Sequence, residues 1–195
     1  MQGPLLRREG EGARVDGPAL GLIETSSIAR GIVVADAMVK KAPVELVLAR
    51  PVSPGKHLVL VSGAVADVGE AMAAGVETAG ATLVDRLELA QVADELLRAL
   101  GQKAAQPAGA VGIFETFSVA STLLAADAAC KAATVALSEV RLADGLGGKA
   151  YFVLAGEQAD VEAALFAAER ITPTGLMLAR ELIARPHDDL LAKLR

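Results

Sequence analysis

One segment of this sequence occurs twice. The stretch ALGLIETSSIARGIVVADAMVKKAPVELVLAR, which begins at Ala19, returns at Ala110 as AVGIFETFSVASTLLAADAACKAATVALSEVR, an offset of 91 residues. The same residue types fall on the same positions in both copies: Gly21 and Gly112, Glu24 and Glu115, Thr25 and Thr116, Asp36 and Asp127, Lys40 and Lys131, Arg50 and Arg141. A tandem duplication explains this agreement, so both copies must adopt one fold.

The duplication continues through a turn and defines the domains. PVSPGKHLVLVSGAVADV aligns with LADGLGGKAYFVLAGEQADV, which has two extra residues and places Lys56 on Lys149. The segment between the copies, GQKAAQPAG, has the composition of a linker. We therefore predict a disordered, Gly-rich and charged tail over 1–18, a first domain over 19–100, a linker over 101–109 and a second domain over 110–195.

Each copy shows the same order of predicted elements. Apolar runs indicate strands, and apolar residues at i, i+3 and i+4 spacing indicate helices, with Ser26 or Ser27 and Ser118 as N-caps. The first copy has strands over 19–24, 44–50, 58–62 and 83–89 and helices over 28–41 and 65–79; the second has strands over 110–115, 135–142, 150–154 and 176–183 and helices over 119–132 and 159–170. A short amphipathic helix ends each copy. The order β-α-β-β-α-β predicts an α/β (α+β) protein of two ferredoxin-like domains.

Composition excludes several classes of function. Aromatic residues make up only 3% of the chain, which argues against binding of single-stranded nucleic acid by base stacking. The net charge of −5 argues against binding to anionic membrane surfaces. The mean hydropathy is +0.43, yet no 18-residue window is free of charges or turn signals. We expect the apolar excess to lie in the core and in subunit contacts, and we expect a cytosolic protein. The single cysteine, Cys130, excludes a disulfide within the chain.

The duplicated motifs resemble the bacterial microcompartment shell domain. The resemblance rests on ALGLIET, ADAMVKKAPVELV and GAVADVGEAMAAGVETAG in the first copy and on ADGLGGKAYFVLAGEQADV and ELIARPHDDLLAKL in the second. Two unpermuted domains in one chain are similar to the shell proteins that assemble as pseudo-hexameric homotrimers. The resemblance implies a structural tile in the shell of a cytoplasmic microcompartment. It implies partners among hexameric, trimeric and pentameric shell proteins, and a central pore that passes small polar metabolites.

The polar turn in RPVSPGKH raises the question of a phosphate-binding loop. A Walker-type loop needs Ser or Thr after the Gly-Lys pair and a helix after the loop, whereas here His57 and a strand follow. The interpretation that needs no ligand is a turn between two strands, in which Pro54 and Gly55 supply the turn geometry. The family resemblance implies that this turn and its repeat line the pore, through Ser53, Pro54, Gly55, Lys56, Asp144, Gly145 and Leu146.

Ser53 also bears on a cofactor. Some trimeric relatives have cysteine at the corresponding position, where three copies hold an iron–sulfur cluster that needs thiolate ligands. Ser53 is a poor substitute for such a ligand, and Cys130 falls on a helix away from the turn. We therefore expect no cluster and no other cofactor or metal. Three hydroxyl groups would offer hydrogen bonds to a polar or anionic metabolite, a preference that Asp144 could soften or reverse.

The edges of the tile follow from the same resemblance. Lys40 and Lys131 end the first helix of each copy, where a cation is favoured by the helix dipole and solvated. In the family such a lysine contacts a neighbouring tile and reaches carbonyl oxygens across the seam, and Arg185 of ARPHDD has a matching role. The first copy has AQVADE where the second has ARPHDD, so the contacts around the tile should not be equivalent.

No set of residues indicates catalysis. His57 and His187 lie in different copies, without the pattern of a catalytic triad, and Asp36 and Asp127 recur as a duplicated structural feature. Glu24 and Glu115 are expected to accept hydrogen bonds from a helix start or another subunit. We therefore predict a non-enzymatic tile. Two alternatives remain: an electron-transfer tile with a cluster, which Ser53 disfavours, and a regulatory protein that binds a small molecule.

Overall fold

The computed structural model describes residues 18–101 and 105–194, in which the two copies form two similar domains. The first contains β1 (Ala19–Thr25), α1 (Ile28–Lys41), β2 (Glu45–Val52), β3 (Lys56–Gly63), α2 (Val65–Ala79), a short 3₁₀ turn (Gly80–Thr82), β4 (Leu83–Leu89) and α3 (Asp94–Leu100). The second contains β5 (Ala110–Thr116), α4 (Val119–Ala132), β6 (Ala136–Leu142), β7 (Ala150–Gly156), α5 (Gln158–Ile171), β8 (Met177–Ile183) and α6 (Asp188–Leu191). The predicted tail lies outside the described residues, apart from its last residue, and so does part of the predicted linker.

Both domains have the predicted ferredoxin-like sheet. The strand orders are β2-β3-β1-β4 and β6-β7-β5-β8, and all paired strands are antiparallel. The registers match as well, because Gly21 faces Val61 in the first sheet and Gly112 faces Leu154 in the second. The predicted fold class is therefore confirmed in both copies.

Serine hydroxyls begin the first helix of each domain, as the sequence predicts. Ser27 Oγ accepts a hydrogen bond of 3.2 Å from the backbone amide of Arg30, and Ser118 Oγ accepts one of 3.1 Å from that of Ser121. Each hydroxyl satisfies one of the amides that a helix start leaves without an intrahelical partner. Ser27 rather than Ser26 is the cap, because Ser27 precedes the first helical residue.

A continuous apolar core joins the two domains. Leu58 of β3, Leu96 of α3 and Leu123 of α4 are all fully buried and belong to one cluster. The stacked rings of Phe114 and Phe152, 5.4 Å apart, lie in the same cluster. Helix α3 makes this junction because it leaves the first domain and packs on α4 and β6 of the second. Part of the apolar excess noted in the sequence is therefore buried between the two domains.

In the described part of the chain, no helix is both long enough and apolar enough to cross a membrane.

Candidate functional site

The first predicted pore turn is shorter than the sequence suggested. Strand β2 continues to Val52 and β3 begins at Lys56, so Ser53–Gly55 alone forms the turn. The Gly55 amide donates to the Val52 carbonyl at 2.9 Å, and Gly55 has φ +103°, a conformation that favours glycine. Ser53 is half-buried, whereas Pro54 and Gly55 are exposed.

The second predicted pore turn lies against the first. Residues 143–149 connect β6 and β7 through three glycines with positive φ, and Asp144 and Gly145 are exposed while Leu146 is half-buried. A Cβ atom built on Gly148 would lie 3.4 Å from Pro54 Cδ and 3.6 Å from the Ser53 carbonyl oxygen. Arg50 pairs with Asp144 across the two domains. The structure therefore brings most of the predicted pore residues to one end of the domain junction.

Lys56, the remaining predicted pore residue, lies on β3 with its ammonium directed to a carboxylate. Its Nζ is 2.8 Å from Glu24 Oε1, and the Glu24 side chain is fully buried. In the second domain Lys149 Nζ donates to Glu115 Oε1 at 2.8 Å, but Glu115 is 30% exposed. Among the described residues each glutamate therefore pairs with a lysine of its own domain and not with the expected helix start, while the expected contact with another subunit stays a prediction. The sequence contained the information needed to predict these Glu–Lys pairs, since both glutamates and both lysines recur in the duplication.

His57 follows Lys56 and is buried beneath α1. Its side chain is only 2% exposed, and neither ring nitrogen has a hydrogen-bond partner among the described residues. A Cβ atom on Gly31 would approach the His57 ring to 2.6 Å, so the glycine makes room for the imidazole. Burial lowers the pKa of His57, because the charged form loses its hydration. The counterpart of His57 in the second domain is Ala150, so this feature belongs to one domain only.

His57 predicts an acid-sensitive fold. The pKa is lower in the folded chain than the ordinary value of 6.5, so the unfolded chain binds the proton more readily. The free energy of unfolding should hold above pH 6.5 and fall below it, by up to about 1.4 kcal/mol per pH unit, until the folded pKa is passed. Urea unfolding of wild type and His57→Leu between pH 8 and 5 would measure this, and the variant should have the flatter profile. Equal slopes would contradict it, and His187→Leu, at an exposed histidine, is the control.

The duplicated Asp–Lys pair of the second domain lies at the domain junction. Asp127 Oδ1 accepts a 2.8 Å hydrogen bond from the Ala93 amide, and its Oδ2 lies 2.6 Å from Lys131 Nζ. Lys131 also donates to the carbonyl of Gln91. The Lys131 ammonium thus reaches a carbonyl oxygen of its own chain, whereas the family resemblance implied one of a neighbouring tile.

The equivalent pair in the first domain, Asp36 and Lys40, is not covered by another element among the described residues. Lys40 Nζ lies 2.6 Å from Asp36 Oδ2, but these side chains are 73% and 57% exposed, and Asp127 is 7% exposed. Arg185 is exposed just before α6, and His187 caps that helix by accepting from the Asp189 amide. In the described part of the chain, α1 of the first domain therefore has an exposed surface, whereas the equivalent surface of α4 in the second domain is covered by α3.

With this geometry in place, comparison with known proteins identifies the family. The model of the BMC domain matches residues 19–92 and 110–186. The chain belongs to the BMC-domain family. It is a bacterial microcompartment shell protein made of two tandem BMC domains.

Individual relatives agree over most of the chain. The bacterial microcompartment shell protein PduT of Citrobacter freundii is 42% identical, over 88% of this chain and 95% of its own. The carboxysome assembly protein CcmO of Synechococcus elongatus is 32% identical, over 90% of this chain and 68% of its own. A microcompartment protein of Desulfitobacterium hafniense, known from a crystal structure, has a TM-score of 0.84 at 40% identity and covers 90% of this chain and 98% of its own.

The residues of these BMC domains do not suit an iron–sulfur cluster. Ser53 offers a hydroxyl where a thiolate would be needed. Cys130 lies on α4, where burial first, and then the charges of Glu95 and Asp127, raise its pKa to about 12. Burial and the nearby carboxylates thus disfavour the thiolate, which is the form that ligates iron. Among residues 18–101 and 105–194 no group of three His, Cys, Asp or Glu is placed to hold a metal ion.

Proposed function

We propose that three copies of this shell protein close into a flat ring of six BMC domains, with the paired turns around a central pore. The observation that carries the proposal is the unequal burial of two equivalent helices. Helix α4 is covered by α3 of its own chain, while α1, its duplicate, has nothing over the same face within the described residues. A neighbouring chain would supply the missing cover through α6, the duplicate of α3.

Apolar side chains on α1 support the proposed contact, because a neighbouring chain would bury them. Ile32 is 59% exposed, whereas its counterpart Leu123 is fully buried. Ile28 is 40% exposed, whereas its counterpart Val119 is fully buried. An apolar stripe that stays open in one copy and is buried in its duplicate indicates an interface with a repeated partner.

The other end of the chain presents the complementary surface. Leu96 of α3 is fully buried at the domain junction, while its counterpart Leu190 of α6 is 38% exposed. Strand β2 shows the same difference, because Leu46 is 39% exposed and its counterpart Leu137 only 2%. Each chain would therefore offer an exposed surface on α1 and, at its other end, a helix α6 whose Leu190 could cover that surface in the next chain. Such a head-to-tail contact forms a closed ring when its rotation closes.

In this ring the turns would surround the axis. Three turns would contribute Ser53, Pro54 and Gly55, and three would contribute Asp144, Gly145 and Leu146. The pairing of Arg50 with Asp144 compensates the carboxylate charge. The pore would then present hydroxyl and backbone groups to small polar metabolites instead of a ring of uncompensated acids.

The edges of the ring would meet other shell proteins of hexameric, trimeric and pentameric form. Lys40 and Arg185 would come together from adjacent protomers, since their counterparts Lys131 and Gln91 are in contact within one chain. Three edges would therefore carry an arginine, and the three between them would carry Gln91. We also infer that the chain is not an enzyme, because the relative that is 42% identical over most of the chain is a shell protein.

The edge residues give the direct test of the tile. Wild type should have three times the 19.9 kDa mass of one chain by light scattering, and should form sheets in electron micrographs of concentrated samples. Lys40→Ala and Arg185→Ala should lose the sheets while the mass in solution stays trimeric. Lys41→Ala, which removes the neighbouring lysine that pairs with Glu70 on α2, is the matched control and should still form sheets. A monomeric wild type, or equal loss of sheets in all three variants, would contradict the proposal.

A further inference from the structure

A cavity of about 450 Å³ lies between the two domains, beside the paired turns. Its walls come from β2, α3 and β6, so it forms within one chain and does not depend on the ring. Its size is within the range of small-molecule sites. Leu48, Leu100 and Val140 are among the apolar residues that line it, and Arg50, Arg141 and Asp144 provide the charges.

The two arginines are duplicates of each other, but their partners differ. Arg50 is paired with Asp144 and still has its Nε–H buried without an acceptor among the described residues. Arg141 is 52% exposed, and the carboxylate oxygen near it, Glu139 Oε1, is 3.9 Å away and already accepts from the Tyr151 hydroxyl. Arg141 therefore has accessible donors to offer, and Arg50 adds a second positive charge to the lining of the cavity.

We propose that this cavity binds a small organic carboxylate with a short alkyl chain. Guanidinium groups recognise carboxylates through paired N–H donors, and such charge-assisted hydrogen bonds are stronger than neutral ones. Asp144 already places a carboxylate on Arg50, so the structure contains an internal example of the contact. The apolar wall formed with Leu48, Leu100 and Val140 would cover the alkyl chain of the ligand.

Hexanoate is the probe for the test, by calorimetric titration of the full chain. We expect a dissociation constant on the order of 1 mM for this eight-atom ligand. Hexylamine should not bind, because two arginines repel a cation, and acetate should bind at least tenfold more weakly, because it has no alkyl chain. No heat with hexanoate, or equal binding of hexylamine, would overturn the proposal.

Two variants separate the roles of the arginines. Arg141→Gln should weaken hexanoate binding at least tenfold, whereas Arg180→Gln, on the far face of the second domain, should leave it unchanged. Asp144→Asn removes the internal competitor for Arg50, so it should strengthen binding severalfold. Unchanged affinity in Arg141→Gln or in Asp144→Asn would contradict the assignment. The mass of the protein in solution, measured in the same samples, reports on the ring separately.

Discussion

Replacing Ile32 by aspartate is expected to convert the proposed ring to single chains of 19.9 kDa. Ile32 is 59% exposed on α1, at the centre of the surface that a neighbouring α6 would cover. A carboxylate placed there would lose its hydration in the assembled ring but not in the free chain. Burying an unpaired charge costs several kcal/mol, and the ring would have to bury three of them. We expect this cost to exceed the free energy of association. Light scattering measures the change directly.

The complementary surface should give the same result. Leu190→Asp places the charge on α6 instead of α1 and should also yield single chains. Phe166→Asp is the matched control, because Phe166 is 56% exposed and its duplicate Ala73 is exposed as well, so neither lies at a seam. Trimers in Ile32→Asp and Leu190→Asp, or single chains in the Phe166 control, would contradict the head-to-tail contact.

Replacing Lys56 by methionine is expected to lower the free energy of unfolding by about 3–5 kcal/mol. The variant leaves the Glu24 carboxylate, which is fully buried, without the ammonium 2.8 Å away. A buried charge without its partner costs far more than the pair itself contributes. Urea unfolding followed by circular dichroism would measure the loss.

The duplication supplies the control for this prediction. Lys149→Met breaks the same pair in the second domain, where Glu115 is 30% exposed and water can replace the lysine. That change should cost no more than about 1 kcal/mol. The double variant Glu24→Gln with Lys56→Met should recover much of the stability, because no buried charge remains. Equal losses in the two lysine variants, or no recovery in the double variant, would show that the pair does not act in this way.

Hydrophobic spacing was sufficient to predict the fold from the sequence. Helices α1, α2 and α4 begin and end where the periodicity predicts, and β4 spans the predicted residues. These elements bury one face against a sheet, so their pattern is local and visible in a single sequence. The bounds were less accurate at the turns: β2 and β3 extend beyond their predicted ends, because hairpin pairing continues into polar residues.

The surroundings of the candidate site could not be predicted from hydrophobic spacing. Asp36 and Asp127 have nearly the same neighbours in sequence, yet one is exposed and the other is buried at the domain junction. The difference comes from α3, which is remote in sequence and covers only one of the two helices. The cavity between β2 and β6 was missed for the same reason, since each of its walls looks like an ordinary strand or helix.

The junction between the domains has a consequence for how the shell would be built. In the proposed ring, one of every two seams would form when the chain folds, at the high effective concentration that a covalent connection provides. The ring then needs only three bodies to meet, so its yield would follow the third power of protein concentration and not the sixth. A tandem chain would therefore complete its tiles at lower expression levels than a single-domain protein of equal contact strength.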